Sequence, residues 1–508
     1  MPKESADGER RVALVPDTVS KLEKSGFEEV LVESGAGRDY NLDEAYEEAG
    51  ARVISDVDEL YTEADVILKI RKPDDEEIER MREGQVLVGF LEPLTDPETI
   101  SKLAERGVTA FSLELIPRIA RAQSMDALSS MGSIGGYKAA LIAADALGRY
   151  LPMMTTAAGT TKAAKAMVLG VGVAGLQAIA TMKRLGAEVE AFDIRPEVAD
   201  QVRSLGATWI EAKDEEEDDD GEDEEEEREP STGEKLAGGM RALFGLPEPS
   251  PEEDVAENGG APTEGEDDGG DDDDEDTGGY AQEQSEEKQK ADQELVNERI
   301  AEMDVVLTTA LVPGKKAPTL VTEDMVKSMK PGSVLVDLAA EAGGNCELSE
   351  AGEVVQHEQV EIHGPTDVAS SMPIHASQLL SRNMASLLDH LVEEIDDDDE
   401  SDGENDADGG DGEQTDDGEG QDEKASAEDN DGEGTETDGE GTDAHGEDKG
   451  DGDTGKADDG GKNKADDDGK RIKLELNFED EITAEACVAH EGEIRQERVR
   501  EALEGSKG

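Results

Sequence analysis

Residues 165–195 read KAMVLGVGVAGLQAIATMKRLGAEVEAFDIR, and the order of features within this stretch decides the fold. An apolar run ends at Leu169. Gly170, Gly172 and Gly175 then form GxGxxG around Val171 and Val173, a helical pattern follows, and a second apolar run ends at Asp193, about twenty residues on. That order is strand, tight turn, helix, strand. Each glycine has its own reason: Gly170 permits the turn, Gly172 lets backbone approach a pyrophosphate, and Gly175 lets helix and strand pack closely. A helix starting there offers N–H groups and partial positive charge to phosphate. Asp193 is placed to accept the adenosine ribose hydroxyls and to repel a 2′-phosphate, so NAD(H) is expected rather than NADP(H). Ile194 and Arg195 follow, and Arg195 is the counter-argument, because an arginine here can bind that phosphate.

Outward from this stretch, strand-like and helical runs alternate. KAMVLG, AEVEAFDIR, MDVVLTTAL, GSVLVDLA and VEIHGPTDV read as strands of one nucleotide-binding domain over 131–371. Upstream, RVALVP, EVLVESGAG, ADVILKI, QVLVGFL and VTAFSLEL alternate with helical segments that begin with Asp or Pro, which predicts another parallel α/β sheet in 1–130. The expected class is α/β, with two Rossmann-like domains joined by long helices. One such helix begins near Asp126, and its internal Gly132, Gly135 and Gly136 imply close packing or a hinge. ASQLLSRNMASLLDHLVEEI predicts a second one within 372–395. RIKLELNF and ACVAHEGEI, within 470–500, then read as a hairpin returning to an existing sheet.

Charge sets the remaining bounds. The 508 residues carry a net charge of −83, and most of the excess acid lies in two Asp/Glu/Gly tracts, 213–278 and 396–469. With almost nothing apolar to bury, these tracts read as disordered insertions in surface connections. The acid elsewhere suits a high-salt cytoplasm and excludes nucleic acid as a partner. Cys346 and Cys487 have no metal-ligand or CxxC spacing and read as reduced thiols. The start MPKESADGERRVALVP lacks the apolar core of a signal peptide, and the run from Ala163 is interrupted by Lys165 and glycines, so it is no membrane span.

All six histidines lie at or beyond His357, leaving the N-terminal block without an imidazole base. A nucleotide site without a proton shuttle suggests hydride transfer to an acceptor that needs no proton, such as another nicotinamide. PRIARAQSMDALSS, from Pro117, brings Arg118, Gln123, Asp126 and Ser129 together before the long helix. Read locally, Asp126 is a helix cap.

These stretches, with ERRVALVPDTVSKLEKSGF, FDIRPEVADQVRSLGA and the run from Thr308 to Glu353, resemble the alpha subunits of proton-translocating NAD(P) transhydrogenases over nearly everything except the acidic tracts. The resemblance implies an NAD(H)-binding component, a homodimer, and hydride transfer to NADP(H) held by a partner subunit. It also implies a membrane-embedded beta-type subunit carrying the proton channel, with this chain on the cytoplasmic face. It places Arg118, Gln123 and Asp126 as catalytic residues beside the nicotinamide, with Ser129 a further contact. Gly170, Val171, Gly172, Val173 and Gly175 would bind the phosphates, Asp193, Ile194 and Arg195 the adenosine ribose, and Leu311 would form a wall. Gly279 and Tyr280 would belong to a closing loop, and one of Gln289, Asp292 and Gln293 would add a polar contact. No metal is implied. Alanine dehydrogenase is the competing enzyme reading, with Lys69 or Lys72 as its lysine but Glu92 where a histidine is expected. A non-catalytic NAD-sensing module is the third.

Overall fold

The computed structural model describes residues 1–37, 40–211, 286–312, 314–395, 471–474 and 476–506. The two acidic tracts, with Gly279 and Tyr280, lie outside the described residues. In the N-terminal region the strands are β1 (Leu31–Glu33), β2 (Arg52–Ile54), β3 (Val66–Leu68), β4 (Val86–Gly89) and β5 (Thr109–Ser112). Between them run helices α1 (Pro16–Lys24), α2 (Asp43–Glu48), α3 (Val57–Glu63), α4 (Asp75–Arg80) and α5 (Pro97–Glu105). Their starts follow sequence chemistry: Asp56, Asp74 and Asp96 each accept a first-turn N–H, and Asp74 with Glu77 closes a reciprocal capping box. β3, β4 and β5 pair in parallel, and β1 pairs in parallel with β2.

Helix α6 (Ala127–Ala146) leads to a small ribbon of β6 (Met154–Thr156) and β7 (Gly159–Thr161). The next elements are β8 (Lys165–Leu169), α7 (Val173–Arg184), β9 (Glu188–Phe192), α8 (Ala199–Ser204) and β10 (Thr208–Trp209). After the first tract come α9 (Glu286–Ile300), β11 (Val305–Thr308), α10 (Glu323–Ser328), β12 (Val334–Asp337), β13 (Val354–His357) and β14 (Val360–His363). The seven strands order as β10-β9-β8-β11-β12-β14-β13, parallel except for β13. Strand order reverses between β8 and β11, the switch point at whose carboxyl ends open α/β sheets bind ligands. β11 and β12 are buried along their whole length, as parallel strands covered on both faces must be.

The chain then forms α11 (Pro373–His390), β15 (Val392–Ile395), β16 (Arg471–Leu474), α12 (Glu481–Ala486), β17 (Cys487–His490), β18 (Glu493–Ile494) and α13 (Glu497–Ser506). Three expectations need correction. RVALVP forms no strand: the Val12 and Val15 N–H groups donate to Ser377 Oγ at 3.0 Å and Ser381 Oγ at 3.1 Å, one turn apart on α11. Its apolar pattern records burial against a helix, which periodicity alone cannot separate from burial in a sheet. The run ending LVEEI is not helical to its end; α11 stops at His390. RIKLELNF and ACVAHEGEI are not the two arms of one hairpin. The hairpin is β17 with β18, β17 lies antiparallel to β5, and β16 does not join that sheet.

Candidate functional site

A cleft of about 980 Å³ opens at the carboxyl ends of β8, β9 and β11 and is lined on its other side by residues of the N-terminal region. Its floor is the glycine turn. Gly170 has φ of +92°, a conformation that L side chains rarely adopt. A Cβ on Gly175 would lie 2.0 Å from the Gly170 carbonyl oxygen, so only glycine lets α7 sit this close to the strand end. A Cβ on Gly172 would meet nothing within 4 Å, which leaves open space over the N-cap of α7. That space, in front of unbonded first-turn N–H groups, fits a dinucleotide pyrophosphate. Gly170, Gly172 and Val173 line the cleft, whereas Val171 and Gly175 sit behind the turn.

Asp193, Ile194 and Arg195 also line the cleft. The Asp193 carboxylate accepts from the Val171 N–H at 2.6 Å, from the Arg195 N–H at 3.0 Å, and from Arg195 Nε at 3.0 Å. The acid therefore ties the end of β9 to the glycine turn. Its hydrogen bond holds the Arg195 pKa above that of an ordinary guanidinium and keeps Arg195 folded onto Asp193.

The wall beyond β11 is pinned from behind. Asn345, fully buried, accepts from the Ala310 N–H at 3.0 Å and donates to the carbonyls of Ala310 and Pro318, both at 2.8 Å. It mimics a strand partner for a loop that has none. Asp337, also fully buried, accepts from Thr308 Oγ1 and from the N–H groups of Ala339, Asn345 and Cys346. Leu311, next to Ala310, is 46% exposed and lines the cleft. Asp292 and Gln293 line it too, and Gln293 donates to the Thr319 carbonyl at 3.0 Å, while the side chain of Gln289 is outside the described residues.

Opposite the turn, the segment before α6 supplies the lip. Arg118 and Ser129 line the cleft. Asp126 caps α6, accepting from the Ser129 N–H at 2.8 Å and Oγ at 2.5 Å, and so orients Ser129. Asn383 of α11 donates to the Ser124 carbonyl at 2.8 Å and fixes the preceding turn. Gln123 is exposed, and neither Gln123 nor Asp126 reaches the lining.

Sequence reasoning missed Arg11 and Arg71, which line the cleft on the N-terminal side. Both bind the buried Glu9 carboxylate, Arg11 Nε at 2.7 Å and Arg71 Nε at 2.9 Å. Burial alone would raise the Glu9 pKa, but its hydrogen bonds and the two positive charges outweigh that and hold it at about 2. Arg71 also pairs with Asp367, which borders the cleft from the segment after β14. The lysines weighed for alanine dehydrogenase chemistry are committed elsewhere. Lys69 is buried with its Nζ 2.6 Å from Glu77 and 3.5 Å from Glu4, Lys72 lies 2.8 Å from both Glu92 and Asp96, and none of Lys69, Lys72 and Glu92 lines the cleft. Of the histidines, His363 lies 2.7 Å from Glu361 and His390 lies 3.0 Å from Asp480; none of the described ones lines the cleft.

Two family models match the chain: the N-terminal domain of alanine dehydrogenase/PNT over residues 1–135 and the C-terminal domain of alanine dehydrogenase/PNT over 139–404. The first segment of the NAD(P) transhydrogenase subunit alpha of Rhodospirillum rubrum is 40% identical over 394 residues, 76% of this chain and 88% of that one. The alanine dehydrogenase of Bacillus subtilis is 30% identical over 381 residues, 73% of this chain and 79% of that one. Among solved structures, the transhydrogenase from Sinorhizobium meliloti is 40% identical with a TM-score of 0.58, covering 76% of this chain and 92% of that one. A glycine-turn cleft between two α/β halves, each half matched by its own model, shows that the chain belongs to the alanine dehydrogenase/PNT family.

Proposed function

We propose that this chain is the NAD(H)-binding alpha subunit of a proton-translocating NAD(P) transhydrogenase. The observation that carries the reading is the cleft itself: a dinucleotide turn faces Arg118 and Ser129 across about 980 Å³, with no histidine among the described lining residues. Bound NAD(H) supplies the hydride at its nicotinamide ring. The chain's own work is then to bind and orient. Gly172 and the start of α7 take the pyrophosphate, while Asp193, held by Val171, faces the adenosine ribose. Asp126 acts through Ser129 on the lip, and Leu311 shields one wall. Gln123 reaches the nicotinamide only after a movement of the turn before α6. Hydride transfer needs the two rings held at roughly 3–3.5 Å, which is a positioning task for these residues.

In this reading NADP(H) sits on a partner subunit, and a membrane-embedded beta-type subunit carries the proton path. No helix among the described residues is long and apolar enough to cross a membrane. The chain acts as a homodimer on the cytoplasmic face, with 1–130 and 131–371 as its two domains. Commitment of Lys69 and Lys72 to carboxylates away from the cleft disfavours the alanine dehydrogenase reading. The test sets two assays side by side: reduction of an NAD analogue by NADPH with the partner subunits added, and NADH oxidation with pyruvate and ammonium. Activity in the first alone is expected; activity in the second alone refutes the proposal, and activity in neither, with NADH bound, favours a sensing module.

A further inference from the structure

The segment that carries Arg118 to the lip of the cleft is held at its two ends by different parts of the chain. A 3₁₀ turn spans Ala120–Met125, and Ile119 before it supplies no side-chain cap. Toward its end, Ala122 and Met125 are buried, and Asn383 of α11 donates to the Ser124 carbonyl at 2.8 Å. At its start, Arg121 Nη1 donates to Asp480 Oδ2. Asp480 lies 359 residues along the chain, between β16 and α12, so nothing local dictates this contact. Arg121 follows Arg118 by three residues, and fixing the one limits where the other can point.

Asp480 is itself firmly held. Its Oδ1 accepts from the Ile482 N–H at 2.9 Å and the Thr483 N–H at 3.2 Å, which caps α12, and lies 3.0 Å from His390 Nε2 at the end of α11. Ile482 and Ala486 of α12 share one apolar core with Ala122, Met125 and Leu388. Burial pushes the Asp480 pKa up, but the hydrogen bonds from Arg121, the Thr483 N–H and His390 outweigh it and hold the carboxyl at about 2. A full negative charge therefore faces Arg121 at neutral pH. The Asp480 side chain is 16% exposed and that of Arg121 52%, and an ion pair with one half-exposed partner adds little to stability. Its consequence is geometric, because a displacement of about 1 Å in a positioning group can slow a reaction by roughly 10²-fold. We propose that Asp480 is a positioning residue of the cleft: through Arg121 it fixes the start of the turn that carries Arg118. The effect on the reaction rests on the transhydrogenase reading, which leaves Asp480 and Arg121 unassigned.

The test uses the full chain with the partner subunits and compares wild type, Arg121→Ala, Arg121→Lys, Asp480→Asn and the double variant Arg121→Ala/Asp480→Asn. Asparagine keeps an acceptor for the Ile482 and Thr483 N–H groups, so α12 stays capped. In stopped flow at saturating NADH, Arg121→Ala should transfer hydride roughly 10-fold more slowly, and Arg121→Lys should recover part of that loss. The double variant should be no slower than Arg121→Ala, because both changes remove one contact. The NADH dissociation constant and the urea midpoint of Arg121→Ala should stay at their wild-type values. Unchanged transfer in Arg121→Ala, losses that multiply in the double variant, or a fall in NADH affinity equal to the fall in rate each overturn the proposal. If wild type binds NADH but transfers no hydride, the transhydrogenase reading falls and hydrogen exchange decides this inference by itself. Amides 120–125 should exchange faster in Arg121→Ala than in wild type, and equal rates overturn it. The same exchange measurement on Arg121→Ala and Arg121→Lys decides the case if Asp480→Asn fails to fold.

Discussion

Helix α6 meets the start of α7 at a contact that a single methyl group would break. A Cβ on Gly136 would stand 1.9 Å from the Ala174 carbonyl oxygen and 2.7 Å from its carbon, both backbone atoms that cannot rotate away. Ordinary contact begins near 3.4 Å, so Gly136→Ala must separate the two helices by about 1.5 Å. Overpacking of this kind costs about 1–3 kcal/mol, and the helix propensity of alanine over glycine returns at most about 1 kcal/mol. The neighbouring glycine is the control. A Cβ on Gly135 has Leu338 Cδ1 at 3.8 Å as its nearest neighbour, an ordinary contact, so Gly135→Ala should gain up to about 1 kcal/mol. Urea midpoints should therefore move in opposite directions for two adjacent Gly→Ala changes. Because α7 starts at the phosphate turn and α6 carries Ser129 in its first turn, Gly136→Ala should also weaken NADH binding roughly 10-fold, worth about 1.4 kcal/mol. NADH fluorescence titration measures this. Equal midpoints for the two variants, or unchanged NADH affinity in Gly136→Ala, would refute the idea that this contact sets the cleft.

Four further outcomes follow from the geometry. Arg118→Ala should slow hydride transfer by roughly 10²-fold while changing the NADH dissociation constant little, and equal losses in stopped-flow transfer and in binding would remove its positioning role. Asn345→Leu leaves the Ala310 N–H and the Ala310 and Pro318 carbonyls without their partner. It should cost roughly 3 kcal/mol in urea unfolding and weaken NADH binding with it. Glu9 has a folded pKa held at about 2, below its unfolded value near 4.5. Its contribution, about 3 kcal/mol, is fully present above the unfolded pKa and lost as pH falls through the folded one. The stability difference between wild type and Glu9→Gln should thus shrink between about pH 4.5 and pH 2; a difference constant across that range contradicts the ion pair. Burial pushes the Cys346 thiol up to about 11 and the Cys487 thiol up to about 12. Neither should react with a disulfide reagent at about pH 8 until the chain is unfolded.

The nucleotide half was legible because its information is local. A strand, a three-glycine turn, a helix and an aspartate lie within 31 consecutive residues, and the closest contact of the turn, Gly175 on the Gly170 carbonyl, falls within that unit. The same locality explains why Asp126 read correctly as a cap: its partner Ser129 is three residues away. RVALVP misled because its hydrogen-bond partners, Ser377 and Ser381, come from more than 360 residues along the chain. An apolar run states that something covers it and not what does. The ribbon at 154–161 left no apolar period at all, since none of the described residues buries its strands.

The charged side of the cleft was illegible for a different reason. Arg11 and Arg71 are ordinary arginines in sequence, and what brings them into the site is one buried carboxylate, Glu9, that both of them bind. A lone buried carboxylate would be costly, and its two arginines convert that cost into a fixed geometry that places positive charge along the cleft. Asp193 serves the glycine turn in the same manner, holding Val171 from one side and Arg195 from the other. Two walls of the cleft are thus set by carboxylates largely removed from solvent: Glu9 acts through the arginines it holds, while Asp193 lines the surface beside Arg195. In a chain so rich in acid, the count of carboxylates says little about the site; the few that are buried, and what each one grips, determine its shape.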